Sequence, residues 1–176
     1  MNHIRRATIK DVTQISYLGK KTFDQSYGNF FNDRATLVKY LDRSFSINKI
    51  TNSVQNPENL YWIVNDTKTP MPIGYAKLKL KSSSEFIENQ NVCKLQRIYL
   101  LQGYEARGIG SKLHECIVET AIDNGYDYMW LSTLKEKEQA TNFYKNKGYV
   151  IAGEHDFTIG DETFEFWAMK TKLRSE

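Results

Sequence analysis

The sequence predicts a single α/β domain of the α+β kind spanning residues 1–176, and three observations carry that prediction. Helix-period apolar positions fill the first 55 residues and give way to a strand pair over 60–80. A strand, a glycine turn and a helix follow one another between 92 and 122. Two strand-type runs meeting at Gly160-Asp161 close the chain. At 176 residues the chain has the length of one domain with one substantial core.

His3 to Ala7 reads as a short first strand. Thr8 and Asp11 have the hydroxyl and acid of a capping box, so a helix is expected next, with Val12, Ile15, Leu18, Thr22 and Phe23 on its buried face. Leu37, Tyr40, Leu41 and Phe45 mark a second helix capped by Asn32 or Asp33, and Ile47, Ile50 and Val54 mark a third. Leu60 to Val64, rich in aromatic and β-branched residues, is a strand, and the turn residues from Asn65 to Pro72 separate it from another at Gly74 to Leu80. That second strand alternates Ala76, Leu78 and Leu80 with Lys77, Lys79 and Lys81, which predicts one buried and one wet face. After the polar stretch from Ser82 to Asn91 comes a strand at Val92 to Leu101.

Beyond Gly110, the positions Leu113, Ile117, Val118, Ala121 and Ile122 trace a helix ending at Asn124-Gly125. Tyr128 to Thr133 is a short strand. Thr133-Leu134-Lys135-Glu136 offers a second capping box for a short helix bearing Ala140, Phe143 and Tyr144 and stopped by Gly148. Tyr149 to Ile159 and Thr163 to Leu173 then form a hairpin.

Composition narrows the partners. The 24 Lys and Arg against 21 Asp and Glu leave a net charge of +3, too small to call for a polyanion, and neither a basic stripe nor a helix-turn-helix pattern points to nucleic acid. Cys93 and Cys116 lack metal-ligand spacing and do not suggest a disulfide scaffold, so no metal and a reducing, cytoplasmic setting are expected. No apolar signal core and no run of about 20 apolar residues is present, so no membrane partner is expected.

The chemistry concentrates at Arg97-Ile98-Tyr99-Leu100-Leu101, then Glu105-Ala106-Arg107-Gly108-Ile109-Gly110-Ser111 opening the helix. Glycines let backbone approach a ligand, the first helical N–H groups lack internal partners, and Arg107 adds a positive charge: together these suit a pyrophosphate. A dinucleotide fingerprint needs another glycine where Leu113 stands, and a Walker loop needs Gly-Lys-Ser/Thr rather than Gly110-Ser111-Lys112. Alone, the turn also reads as an ordinary start of a helix. Downstream, Ala140-Thr141-Asn142-Phe143-Tyr144-Lys145-Asn146-Lys147-Gly148-Tyr149 adds a second signal.

The two segments resemble motifs A and B of the GNAT superfamily of N-acetyltransferases, whose acyl-CoA loop reads Gln/Arg-x-x-Gly-x-Gly/Ala and whose later helix carries Ala-x-x-Phe-Tyr-x-x-x-Gly-Phe. Within it the chain resembles the PaiA group of spermidine/spermine N-acetyltransferases at Thr22-Phe23, Arg97-Ile98-Tyr99, Phe143-Tyr144-Lys145, His155, Gly160-Asp161-Glu162 and Met169-Lys170-Thr171. Two positions depart from the superfamily pattern: Glu105 replaces the usual Gln or Arg, and Lys137 stands where many members have Asn.

The resemblance implies a central mixed, mostly antiparallel sheet flanked by helices, and direct transfer from acetyl-CoA to an amine in a ternary complex. A backbone N–H of Ile98, Tyr99 or Leu100 would hold the acetyl carbonyl. Glu105 to Ser111, with Lys137, Tyr144 and Lys145, would contact the rest of the CoA. Tyr144 would protonate the leaving thiolate. The acceptor ammonium must lose a proton, its pKa being about 10.4. Related enzymes often place Glu where this chain has Gln96, an amide that cannot act as base. Asp24, Glu154, His155, Asp156 and Glu165 remain the candidates. For a polyamine, Asp24, Tyr27, Phe30, Phe31 and Asp33 offer acids and aromatic walls, with His155 a further candidate contact. Acetylation of a protein N-terminus, a lysine or another small amine stays open, as does a non-catalytic CoA-binding role. Family members often form homodimers.

Overall fold

The structure, a computed structural model, describes residues 2–173. Met1 and positions 174–176 of the expected 1–176 span lie outside the described residues. In chain order come β1 (Asn2–Arg6), α1 (Val12–Tyr27), α2 (Arg34–Ser44), α3 (Ile47–Gln55), β2 (Asn59–Asp66), β3 (Pro72–Lys79), β4 (Val92–Leu100), α4 (Ile109–Asp123), β5 (Tyr128–Leu134), α5 (Glu138–Asn146), β6 (Val150–Ile159) and β7 (Glu162–Lys172). These strands form a sheet of order β1-β2-β3-β4-β5-β7-β6. Pairing is antiparallel for β1–β2, β5–β7 and β6–β7 and parallel for β4–β5. The sheet is therefore mixed and mostly antiparallel, as expected. The chain divides into two compact units, one of Met1–Leu78 with Arg97–Cys116, the other of Lys79–Gln96 with Ile117–Glu176.

The first unit is organised by the helix periodicity of its sequence. Val12, Ile15 and Leu18 of α1 pack with Leu37 and Leu41 of α2, Phe45, Ile50 of α3, Tyr61 and Ile63 of β2 and Tyr75 of β3. The Thr8–Asp11 capping box forms and holds a 3-10 turn, Ile9–Asp11, that runs into α1. The buried Asp11 carboxylate accepts from the Thr8 N–H at 2.8 Å and from both ends of the Arg5 guanidinium, at 2.9 and 2.6 Å. These bonds hold its pKa below the usual carboxylate range. Of the two cap candidates for α2, Asp33 is the cap, accepting from Ala35 and Thr36 N–H groups at 3.0 Å each.

The alternation read from β3 gives a wet face only toward the strand's end, where Lys79 and Lys81 are exposed. Every residue from Pro72 to Leu78 is buried, Lys77 included, its ammonium 5.5 Å from the centre of the Tyr61 ring. β3 lies in the middle of the sheet order, where a lysine stem covers apolar surface as well as an aliphatic side chain would.

In the second unit β5 pairs with β7 from Tyr128↔Lys172 to Leu134↔Phe166, and a bulge between Ile151 and Gly153 shifts the β6–β7 register. Val92, Cys93 and Leu95 of β4, Met129, Leu131 and Leu134 of β5 and Ala168 and Met169 of β7 are among its buried strand residues. Trp130 donates from its indole to the Ser82 carbonyl at 2.8 Å, and the Lys94 ammonium sits 3.8 Å from the Trp130 ring centre.

The second capping box does not form. Pairing with β7 extends β5 through Leu134, so Thr133 is a strand residue whose buried hydroxyl meets that of Thr141 at 3.2 Å. The cap position of α5 falls to Lys137, without a side-chain cap bond.

Candidate functional site

The loop after β4 is shaped by backbone rather than by side chains. The β4–β5 register runs Val92↔Tyr128, Cys93↔Met129, Lys94↔Trp130, whereas β4 continues to Leu100 and β5 to Leu134. Beyond β4, the Leu101 N–H donates to the Ile73 carbonyl at 2.8 Å and the Gln102 N–H to the Gln25 side chain at 3.1 Å. The Glu105 carboxylate folds back to accept from the Gly103 N–H at 2.6 Å. At this departure from the motif, the acid therefore serves the loop itself.

Ala106 and Gly108 then take left-handed conformations, φ +57° and +76°. Ala106 does so against the steric preference of an L-residue; at Gly108 only a glycine does so freely. Space around the α-carbons of Gly108 and Gly110 is open, with no heavy atom within 4 Å of where a Cβ would stand. The first α4 bond, from Lys112 N–H to the Gly108 carbonyl at 3.1 Å, leaves the N–H groups of Ile109, Gly110 and Ser111 without a partner inside the helix. Arg107, exposed, lies 5.2 Å over the Tyr104 ring. Donors at the positive end of a helix, open space and an adjacent guanidinium fit a pyrophosphate.

Upstream, Gly74 of β3 is the residue that sequence reasoning passed over. A Cβ there would stand 2.6 Å from the Tyr99 carbonyl oxygen and 2.5 Å from Leu100 Cδ2. The close packing of β3 against the Tyr99–Leu100 backbone depends on its absence. The Tyr99 side chain donates from its hydroxyl to that of Tyr27 at 3.2 Å, their rings meeting edge-on at 6.2 Å. Ile98 and Leu100 are half-buried.

Asp24 and Asp33, both in this unit, are already engaged. Asp24 forms a two-pronged ion pair with Arg34, which lowers its pKa, and Asp33 spends both oxygens on the start of α2. Phe30 is exposed in a 3-10 turn, Gly28–Phe30, while Phe31 packs edge-on against Phe23 at 6.4 Å.

In the second unit α5 carries Tyr144, buried at 8% exposure, its ring 5.2 Å from Phe143 and 5.5 Å from Tyr149. Lys137 caps the helix at one end and Lys145 lies exposed in its last turn. His155 of β6 is stacked on Phe166 at 5.6 Å, and its Nε2 is 2.9 Å from the Ser132 hydroxyl. Glu154 and Glu165 share Lys135, at 2.8 and 3.1 Å. Asp156 and Gln96 are exposed. Among the described residues no cluster of three or more His, Cys, Asp or Glu suits a metal ion, and no helix is long and apolar enough to cross a membrane.

Comparison with known proteins assigns this arrangement. An uncharacterised N-acetyltransferase in the pepI 3′ region of Lactobacillus delbrueckii subsp. lactis is 25% identical over 165 residues, 93% of each chain. The crystal structure of a PaiA N-acetyltransferase from Thermoplasma acidophilum, in complex with coenzyme A, superposes with a TM-score of 0.78 at 19% identity, over 98% of this chain and 99% of that one. The ribosomal-protein-S18-alanine N-acetyltransferase of Escherichia coli does so with a TM-score of 0.72 at 14% identity, over 100% and 96%. At these identities the solved structures show the fold. Residues 24–149, which hold the glycine turn and the α5 motif, match the model of the acetyltransferase (GNAT) family. The chain thus belongs to that family and is an N-acetyltransferase with acetyl-CoA as its co-substrate.

Proposed function

We propose that the chain, as one domain, transfers the acetyl group of acetyl-CoA directly to a primary amine in a ternary complex. The observation that carries this reading is the α4 start: a left-handed, glycine-opened turn whose unpartnered N–H groups and Arg107 suit the CoA pyrophosphate. Glu105 and Ala106 shape that turn, and Arg107 to Ser111 supply its donors. Ile98, Tyr99 and Leu100 provide the backbone N–H for the thioester carbonyl, where a fixed donor stabilises the oxygen as it gains charge. Tyr144 is the acid for the departing sulfur, and Lys137 and Lys145 sit at the two ends of its helix as cationic contacts for the co-substrate. Holding both substrates in one geometry removes much of the entropic part of the barrier.

Polyamines such as spermidine and spermine are the acceptors that the resemblance suggests, and the Thermoplasma likeness supports testing them first. Asp24 and Asp33 would have to leave Arg34 and the α2 cap to receive an ammonium. A cytoplasmic setting, expected from the two free cysteines, and the homodimers that family members often form complete the proposal.

The test is thiol release from acetyl-CoA with spermidine, spermine, a lysine peptide or no acceptor, repeated with Tyr144→Phe. Amine-dependent release, reduced by about 10²-fold or more in the variant, supports both transfer and the acid role. Release only with the peptide discards polyamines. Binding of acetyl-CoA without release to any amine turns the reading toward a binding module.

A further inference from the structure

Arg97 of β4 carries a charge that the acetyl-CoA reading does not use. Its guanidinium is half-buried, 4.5 Å over the Phe45 ring, in the field of the phenols of Tyr40, Tyr61, Tyr75 and Tyr99. Among the described residues it pairs with no carboxylate. A ring face offsets only part of the cost of withdrawing a cation from water, and a buried charge ordinarily finds a counter-ion.

Beside it lies a second unsatisfied donor. Tyr75 is wholly buried and its hydroxyl has no hydrogen-bond partner, whereas the Tyr61 hydroxyl has Ser53 at 2.8 Å and that of Tyr99 has Tyr27 at 3.2 Å. Arg97 acts electrostatically on the Tyr75 phenol without a hydrogen bond of good geometry between them. Burial keeps that phenol protonated well above neutral pH, so it offers its O–H. The cluster thus presents a guanidinium fork and a phenolic O–H, and an acceptor of two oxygens is what both lack. Flat aromatic neighbours suit the planar, weakly hydrated guanidinium itself, which repels the ammonium groups of a polycation and attracts an anion.

We propose that Arg97 and the Tyr75 hydroxyl receive a carboxylate of the acceptor, which is an amino acid or a similar small molecule bearing both an amine and a carboxylate. This rests on the acetyl-transfer reading and names a carboxylated acceptor in place of the polyamine that the resemblance suggests. The guanidinium supplies the two-pronged contact and Tyr75 a third bond; Tyr99, packed 6.0 Å from Tyr75, ties the cluster to the strand offered for the acetyl carbonyl.

The test compares acceptors that differ only in the carboxylate: lysine against 1,5-diaminopentane, 4-aminobutanoate against propylamine, and glutamate against 4-aminobutanoate, with spermidine alongside. At least one carboxylated member is expected to have a kcat/KM about 10- to 100-fold above its partner, the range that a charge-assisted hydrogen bond supports. Arg97→Met should collapse that ratio toward unity through KM, and Tyr75→Phe should lower it several-fold while the protein melts no earlier, its lost hydroxyl having had no partner. Preference for the decarboxylated amines or for spermidine overturns the proposal, as does an equal loss on both members of each pair in Arg97→Met with no change of KM in Tyr75→Phe. If no amine is acetylated, the transfer reading fails, and butanoate titration judges the carboxylate site by itself. Thermal stabilisation of the wild type that vanishes in Arg97→Met upholds the site; no stabilisation of the wild type rejects it.

Discussion

Replacing Gly74 with alanine tests whether the Tyr99–Leu100 backbone positions the acetyl group. The new methyl would stand 2.6 Å from the Tyr99 carbonyl oxygen and 2.5 Å from Leu100 Cδ2. Leu100 can rotate its methyl aside, but the carbonyl belongs to the strand and can escape only if β3 or β4 moves. Restoring an ordinary contact of about 3.3 Å requires a shift of roughly 0.7 Å, within the range where overpacking costs about 1–3 kcal/mol. A displacement of nearly an ångström at a reacting centre costs on the order of 10²-fold in rate. We therefore expect kcat to fall about 10- to 100-fold at a temperature where the variant is still folded. The acetyl-CoA dissociation constant, which the proposed function places largely at the 107–111 turn, should change less than about threefold. Thiol-release kinetics at saturating acetyl-CoA measure the first quantity, and calorimetric titration with CoA the second. An unchanged kcat in a measurably destabilised Gly74→Ala would refute the positioning argument, since the strand would then have moved without consequence for the chemistry.

Two further outcomes concern stability. Asp11→Ala removes the acceptor of the Thr8 N–H and of the Arg5 fork and should cost about 2–3 kcal/mol by denaturant titration. Because the folded pKa of Asp11 is lowered, its contribution is complete above the unfolded value of about 3.9 and fades as pH falls through the folded value. The difference between wild type and variant should therefore shrink only in strong acid. Lys94 behaves oppositely: burial, then Lys79, lowers its pKa from 10.5 to about 8, so folding releases its proton between those values and its charge opposes folding at neutral pH. Lys94→Met should raise stability at pH 7 by about 1–2 kcal/mol, the loss of the contact over Trp130 offsetting part of the gain, and its advantage should dwindle from pH 8 toward pH 10.5. A pH-independent difference would count against the assignment.

Much of the molecule is legible in local sequence because the responsible interactions are local. The Thr8–Asp11 box spans three residues, the α1 face repeats at three- and four-residue steps, and the glycine turn is contiguous. What escaped depends on partners set by the fold. Thr133-Leu134-Lys135-Glu136 has the composition of a cap, but the ladder with β7 claims Thr133 and Leu134 for β5, and the strand bonds prevail over the cap. The β3 lysines alternate as on a half-wet strand, yet a central place in the sheet buries Lys77. Asp24 looks available to a ligand until Arg34, ten residues on, is seen to hold it. Gly74 gives no sign of its role, since the atoms that exclude a side chain belong to Tyr99 and Leu100, far along the sequence. The unpaired state of Arg97 is likewise a property of its neighbours and not of its motif.

The division into two units bears on how the chain can be made and cut. The first unit is assembled from two stretches, with residues 79–96 of the second threaded between them in sequence. A ribosome that has released only the first 96 residues has delivered α1–α3 without Arg97, Tyr99 or the glycine turn, so that unit stays incomplete until Cys116 has emerged. A protease nick between Ser82 and Asn91 would leave two fragments, the second carrying pieces of both units. Neither unit exists as a continuous gene segment, and activity from separated halves requires that they find each other again.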